Sequence, residues 1–378
     1  GAVFGEAKVT ENVIFTFAAK IASLILGLAI TVIIARILGP EKKGIYSLAI
    51  LLPSLLITFS NLGISSATIF HIGKKKYQLQ KTLGNNIILS AVISAVAMLL
   101  GLIIIALFSN SLFAGVKKEY LFLTLLIIPF QLFLLFIVSI LWGLQKIKEY
   151  NLIHFLQTAF FFLLVVGLLL GLHLEIEAVI IAQIVSFFLT GIILIFLVKK
   201  QIRRISLKFH KSYIKNSLKY GSKAYLADLS SFLHLRIDIF LINIFINPLA
   251  VGFYSIAVAM VEKFWIIDNS IATVLFPRIS SETNKKKLKE FTPLVCRNTI
   301  FITFLATFLI LFFSRWIITL FFSEAYLNSI QPFNILIIGA IAMSGWNIIA
   351  NDFLGRGRPE INTCLNIGSL IVNVILNI

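Results

Sequence analysis

The chain has 378 residues, is 59% hydrophobic with a mean hydropathy of +0.99, and is only 13% charged. No soluble core of that length needs so much apolar surface, so its runs of about 20 apolar residues read as membrane-spanning helices. A net charge of +17 would point to nucleic acid in a soluble protein; here the basic residues fall in short loops between apolar runs, so nucleic acid is excluded as a partner and the charge records orientation in a membrane.

Eleven spans are predicted in chain order, at 13–38, 44–72, 85–108, 120–144, 151–173, 176–198, 220–247, 250–277, 293–315, 328–354 and 361–378. The first residues lack a charged, apolar and cleavage-site pattern, so no signal peptide is expected. The even-numbered loops carry the basic stretches that start at Lys74, Gln145, Lys199, Ser281 and Gly355. The odd-numbered loops hold few basic residues, namely Lys42, Lys43, Lys117, Lys118 and Arg315. This bias puts the even loops and the N-terminus in the cytoplasm, with the chain in the inner membrane. The loop from Lys199 to Lys219 is the longest and most basic, and its expected state is a solvated linker held to anionic headgroups. It divides the chain into an N-terminal lobe at 1–200, a linker at 201–219 and a C-terminal lobe at 220–378.

The two lobes repeat. ILGPEKKGIYSLAI, from Ile37 to Ile50, recurs 208 residues later as FINPLAVGFYSIAV, from Phe245 to Val258. Pro40 aligns with Pro248, Gly44 with Gly252, Tyr46 with Tyr254, Ser47 with Ser255 and Ala49 with Ala257. Each copy is expected to end one helix, turn at the proline and begin the next helix at the glycine. GLQK at Gly143 and GRGR at Gly355 match at an offset of 212. In that register Ile378 falls in the middle of the second lobe's fifth span, so the sequence is expected to be a C-terminally truncated copy of a longer protein. Inverted or parallel repeats of this sort are typical of transporters.

Charges within spans single out the site. Each costs roughly 2.5–3.5 kcal/mol at the bilayer centre on the lenient scale, and so should face a wet cavity or a partner. In the seventh span Lys223, Ser230, Ser231, His234 and Asp238 share a helical face, with Asp228 at its edge. Arg236 points elsewhere, because residues two apart do not meet on a helix. Glu262 in the eighth span is its expected partner. The eighth span also aligns Ser255, Glu262, Asn269 and Thr273, with Lys263 beside them and Asp268 off to one side. Lys20 lies in the first span and Arg297 in the ninth. The candidate cavity cations are therefore Lys20, Lys223, Arg236, Lys263 and Arg297. Asp228, Asp238, Glu262 and Asp268 are candidates for ion coupling or charge balance, and His234 and Asn269 for the polar lining. The competing reading is that these charges are ion pairs that lock helices together. Arg36 and Asp352, near span ends, are expected to reach headgroups. Cys296 and Cys364 are expected to be free thiols. No phosphate-binding loop, metal-ligand spacing or nucleophile–base set is present in the sequence, so neither a cofactor, a metal nor an enzymatic activity is expected.

At ARILGPEKKGIYSLAI, NLGISSA, RIDIFLI, VGFYSIA and LFPRIS the chain resembles the polysaccharide and lipid-linked oligosaccharide flippases of the multidrug/oligosaccharidyl-lipid/polysaccharide (MOP) exporter superfamily. It departs from that pattern at Asn247, where the first hairpin has Gly39. The resemblance implies an all-α fold of two pseudo-symmetric six-helix lobes around a central cavity, here with about eleven helices. It implies alternating access that carries an undecaprenyl-pyrophosphate-type sugar unit, as used for O-antigen, from the cytoplasmic to the outer leaflet. The implied partners are that lipid-linked oligosaccharide, membrane lipids, a coupling ion (H+ or Na+) and other glycan-assembly proteins. A multidrug antiporter of the same superfamily and a peptidoglycan-precursor flippase are the near alternatives. A membrane glycosyltransferase such as an O-antigen polymerase or ligase is remote, because the outer loops are short.

Overall fold

A computed structural model describes residues 2–171, 174–201, 207–265, 285–355 and 359–377, and all regular structure among them is helical. Helix α1 (Ala2–Asn61) bends sharply at Gly39, whose φ of 71° and ψ of 173° strongly favour glycine. It is followed by α2 (Ile64–Gly73), and Leu62 and Gly63 between them both have positive φ, so the expected second span is broken near its end. Next come α3 (Leu79–Leu112), α4 (Lys118–Leu125) and α5 (Ile127–Gly143). The break between α4 and α5 has a local cause: Pro129 supplies no amide proton, and its ring crowds the carbonyl of Leu125 four residues earlier. Helix α6 (Ile147–Val166) closes in a π turn at Gly167–Gly171 and leads to α7 (Ile176–Lys199). Then follow α8 (Lys211–Phe245), α9 (Pro248–Phe264), α10 (Lys285–Phe322), a 3₁₀ turn (Glu324–Ser329), α11 (Ile330–Gly355) and α12 (Pro359–Asn377).

Among the described residues, seven helical stretches are long and apolar enough to cross a membrane, the first of them uniting both arms of α1. The chain is a multi-pass membrane protein. Helices α8 and α9 are not among the seven. Along α8 run lysines 211, 215, 219 and 223 together with Asp228, Arg236 and Asp238, and α9 has only 17 residues. These are the two helices on which the sequence concentrates its candidate site.

The helices form two compact units, Gly1–Leu38 with Leu48–Phe232, and Gly39–Ser47 with Leu233–Ile378. In the first unit α5 packs against α2, α3 and α7, and α6 lies along α7. Leu132, Phe136, Ile137, Ile140 and Leu141 fill its middle. A polar knot ties the start of α8 into this unit. The Tyr213 hydroxyl donates to Asn86 Oδ1 at 2.8 Å, and Asn86 Nδ2 donates to Thr68 Oγ1 at 3.0 Å and to the Phe136 carbonyl at 2.9 Å. Beside it the His210 amide donates to Asn85 Oδ1 at 2.9 Å, and Asn216 Nδ2 to the Tyr77 hydroxyl at 2.7 Å. Tyr213 and Ser217 are fully buried. The stretch before α8 is thus not a uniformly solvated linker: Leu207 to Phe209 are exposed, but the chain is docked from His210 onward. Burial pushes the Tyr213 phenol above its ordinary pKa, so it stays a protonated donor.

The second unit contains both copies of the repeated hairpin, and they show what each conserved-looking position does. The helices begin at the prolines rather than the glycines. Pro248 is the first residue of α9, and Asn247 caps it by accepting the Ala250 amide proton at 2.9 Å. Gly39 meets the same need with a conformation that favours glycine, whereas Asn247 stays extended and uses its side chain. Gly44 and Gly252 lie one turn into their helices. A Cβ on Gly44 would overlap the Pro248 carbonyl oxygen, and one on Gly252 would overlap the Pro40 carbonyl oxygen. The two copies therefore cross backbone on backbone, each glycine under the other copy's proline carbonyl. Nearby Lys43, which the sequence places in a solvated loop, is buried. Its Nζ donates to Ser47 Oγ at 2.8 Å and lies 5.3 Å from the centre of the Tyr46 ring. Gly44→Ala and Gly252→Ala are each expected to destabilise the protein by about 1–3 kcal/mol through overpacking. Gly73→Ala, where a methyl meets nothing, is the control. Thermal unfolding in detergent would check the contrast, and equal melting curves for all three variants would refute it.

Candidate functional site

The site is assembled from the C-terminal half of α8 and from α9, both in the second unit. Arg236 Nη1 lies 2.7 Å from Glu262 Oε1, the partner expected from helical spacing. Asp238 is engaged separately: the Tyr254 hydroxyl donates to its Oδ2 at 2.7 Å. Two residues apart on α8, Arg236 and Asp238 thus reach two different levels of α9, eight residues apart. The pattern follows from the helix period, since consecutive odd or even neighbours diverge by about 200° around the axis. Each contact also has a physical necessity. A guanidinium or carboxylate in a membrane helix needs a partner, and a short charge-assisted hydrogen bond supplies roughly twice the strength of a neutral one.

Tyr254 was not singled out by sequence reasoning, although its signal was present. It occupies the repeat position of Tyr46, immediately after the crossing glycine and phenylalanine. Ser255 beside it is buried and donates back to the Gly252 carbonyl at 2.9 Å. The crossing therefore fixes the first turns of α9, and through Tyr254 it fixes the Asp238 carboxylate.

His234 is half-buried one turn before Asp238, and its Nδ1 is enclosed without a hydrogen-bond partner among the described residues. Lys263 adjoins Glu262 on α9, is half-buried, and has no ion-pair partner among the described residues. The described part of α8 and α9 in this unit carries two cations, Arg236 and Lys263, and two carboxylates, Asp238 and Glu262. Lys20 belongs to the first unit and is exposed on α1. Arg297 is on α10, exposed, in a groove formed with α11. The side chains of Lys223 and Asp228, and the residues Asp268 and Asn269, lie outside the described residues. Asp352, expected at the headgroups, is instead buried and accepts a hydrogen bond from Thr292 Oγ1 at 2.7 Å. Among the described residues no group of His, Cys, Asp and Glu has the geometry of a metal site.

The sequence from residue 9 to 283 matches the profile of a family described as polysaccharide biosynthesis protein. The chain belongs to that family. No curated protein sequence matches it. Among solved structures, the chain is similar to the lipid II flippase MurJ in an inward closed conformation, with a TM-score of 0.79 at 18% identity over 96% of this chain and 80% of that one. It is similar to an inward-facing multidrug resistance MATE family transporter of the MOP superfamily, with a TM-score of 0.72 at 17% identity over 93% and 84%. It is also similar to a MOP superfamily transporter from Pyrococcus furiosus whose binding pocket is described as reversed in polarity, with a TM-score of 0.65 at 16% identity over 94% and 83%. These likenesses establish the fold: the family member described here has the all-helical architecture shared by MATE transporters and MurJ.

Removing one partner of the ion pair should cost more than removing both. Glu262→Leu is expected to destabilise by about 1–3 kcal/mol, less than for a fully buried pair because both side chains retain some solvent. The double variant Arg236→Leu/Glu262→Leu is expected to recover most of that loss. Thermal melts of the two variants and wild type would check this, and additive losses would show that the pair is not coupled.

Proposed function

We propose that the protein moves a lipid-linked oligosaccharide or polysaccharide repeat unit, of the undecaprenyl-pyrophosphate type, from the cytoplasmic to the outer leaflet of the inner membrane by alternating access, driven by an ion gradient. The N-terminus is cytoplasmic in this reading, in keeping with the lysine and arginine bias of the loops. The observation that carries the proposal is the Arg236–Glu262 pair, held between α8 and α9 of a polysaccharide biosynthesis family member. A structural lock and a substrate site make different use of such a pair. A lock needs a partner that never leaves. A transport site needs a cation whose partner can be neutralised.

Glu262 supplies that partner. When it takes up a proton, or when a sodium ion occupies its oxygens, the Arg236 guanidinium loses its counter-charge and is free to fork onto a pyrophosphate. When Glu262 is released as the bare carboxylate, it competes with the pyrophosphate for Arg236 and favours substrate departure. Coupling then consists of two anions exchanging on one cation. Lys263, adjacent and without an ion-pair partner among the described residues, adds a second positive charge for the diphosphate. Asp238, held by Tyr254, keeps the carboxylate next in sequence away from that exchange. The sugar needs hydrogen-bonding surface and the polyprenyl tail stays in the bilayer, so the charged contact is needed only at the phosphate. Lys20 and Lys223 are proposed as further cations on the path, Asp228 and Asp268 as balancing carboxylates, and His234 and Asn269 as polar lining.

The test is transport into reconstituted vesicles of a fluorescent lipid-linked pyrophosphoryl oligosaccharide, with a cationic drug as the competing substrate. Arg236→Ala is expected to abolish translocation while still inserting, and Glu262→Gln is expected to transport without dependence on an imposed proton or sodium gradient. Normal translocation by Arg236→Ala would overturn the role of the cation. Preference of wild type for the drug would assign the protein to multidrug transport instead.

A further inference from the structure

Helix α10 carries a second feature that the α8–α9 pair does not explain. Leu294, Arg297, Phe301, Phe304 and Phe308 recur at intervals of three and four, so they form a single stripe along the helix, and every one of them is exposed. Between α10 and α11 is a groove of about 680 Å³ lined by Thr292, Cys296, Arg297, Ile300, Phe301, Phe304 and Ile349. Its walls are almost wholly apolar, and Arg297 is the charged residue among those that line it. Arg297 has no ion-pair partner among the described residues, while the Asp352 carboxylate is buried and accepts a hydrogen bond from Thr292.

We propose that this groove binds an anionic phospholipid of the surrounding bilayer, with its phosphate on Arg297 and an acyl chain along Ile300, Phe301 and Phe304. The assignment rests on charge and shape together. An apolar channel alone would suit any acyl chain, and a lone arginine any anion. Their succession along one helix, cation first and then two turns of phenylalanine, matches the order of a phospholipid from headgroup to tail. The placement matches as well. Arg297 follows the basic start of α10, where lysines 285, 286, 287 and 289 stand in sequence, so the cation lies at the headgroup end of the span and the phenylalanines run inward. An exposed arginine among exposed phenylalanines has no counter-charge among the described residues, and the lipid phosphate supplies one. This proposal does not depend on the transport cycle proposed above, and it removes Arg297 from the set of cavity cations.

Cys296 lines the groove and is half-buried, and the other cysteine, Cys364, is exposed. The full chain carrying Cys364→Ser therefore reports groove occupancy through the rate of Cys296 alkylation by a membrane-permeant maleimide. In phosphatidylglycerol vesicles this rate is expected to be about fivefold slower than in phosphatidylcholine vesicles, the size of one cation's attraction to an anionic leaflet. The difference should vanish in Arg297→Gln and persist in Arg297→Lys, which keeps the charge. Equal rates in the two lipids, or a difference that survives Arg297→Gln, would overturn the proposal. Because Arg297 is exposed, the variants should fold, and circular dichroism melts matching the parent would confirm that the rates report occupancy. Transport of the lipid-linked sugar is measured separately, so failure of one proposal leaves the other standing.

Discussion

Two backbone segments pass so closely that neither can carry a Cβ at the crossing. Gly44 lies under the Pro248 carbonyl and Gly252 under the Pro40 carbonyl, so one symmetric contact joins the repeated hairpins. Much of the second unit's order follows from it. The crossing brings the tip of the first hairpin, Gly39–Ser47, into the same compact unit as α9. It requires each helix to start at a fixed residue, which the prolines provide by being preset for the first turn. It also fixes the rotation of α9 at its first turn. That rotation decides which side chains of α9 meet α8: Tyr254 two residues after Gly252, and Glu262 two turns further on.

The chemistry of the site depends on that rotation more than on any single charge. Arg236 and Asp238 are separated by only two positions, and side by side in a flexible chain they would neutralise one another. On a helix they diverge, and α9 gives each its own partner, a carboxylate for the cation and a phenol for the anion. An ion pair whose two side chains keep some contact with solvent is worth less than a fully buried one, so the geometry of α8 against α9 counts for more than the bare charges.

The start of α8 is organised by a different rule. Its lysines suggest solvent, yet Tyr213 turns inward to a knot of amide and hydroxyl groups from α2 and α3, and Asn216 reaches the Tyr77 hydroxyl between those helices. Every buried donor in such a knot needs an acceptor, and Asn86 satisfies three groups at once. The glycine pair at Gly63 and Gly221 allows the same close backbone approach in the first unit as the hairpin glycines allow in the second. Family and fold agree with this construction. The family is that of polysaccharide biosynthesis proteins, and the architecture is the one that MATE transporters and MurJ share.

The sequence by itself determined a helical membrane protein, its duplication, and the pairing of Arg236 with Glu262. Hydropathy, repeat spacing and the helix period are local quantities, legible one segment at a time. Lys43 was misjudged because a basic residue beside Gly-Pro looks like a loop; only the continuous helix across positions 40–61 shows it buried over Tyr46. Tyr213 and the partner of Asp352 were invisible for a related reason, and Tyr254 showed only as a repeat position. A tyrosine or threonine scans as neutral, and its role appears only when packing brings a distant acceptor to its hydroxyl. The roles of Gly44 and Gly252 were likewise read as turning when they are close approach, because a missing Cβ has no meaning until another backbone occupies its place. What tertiary structure decided, therefore, was which atoms meet across segments distant in the chain, since hydrogen bonds and steric contacts act over about 3 Å in space and carry no mark in the order of residues.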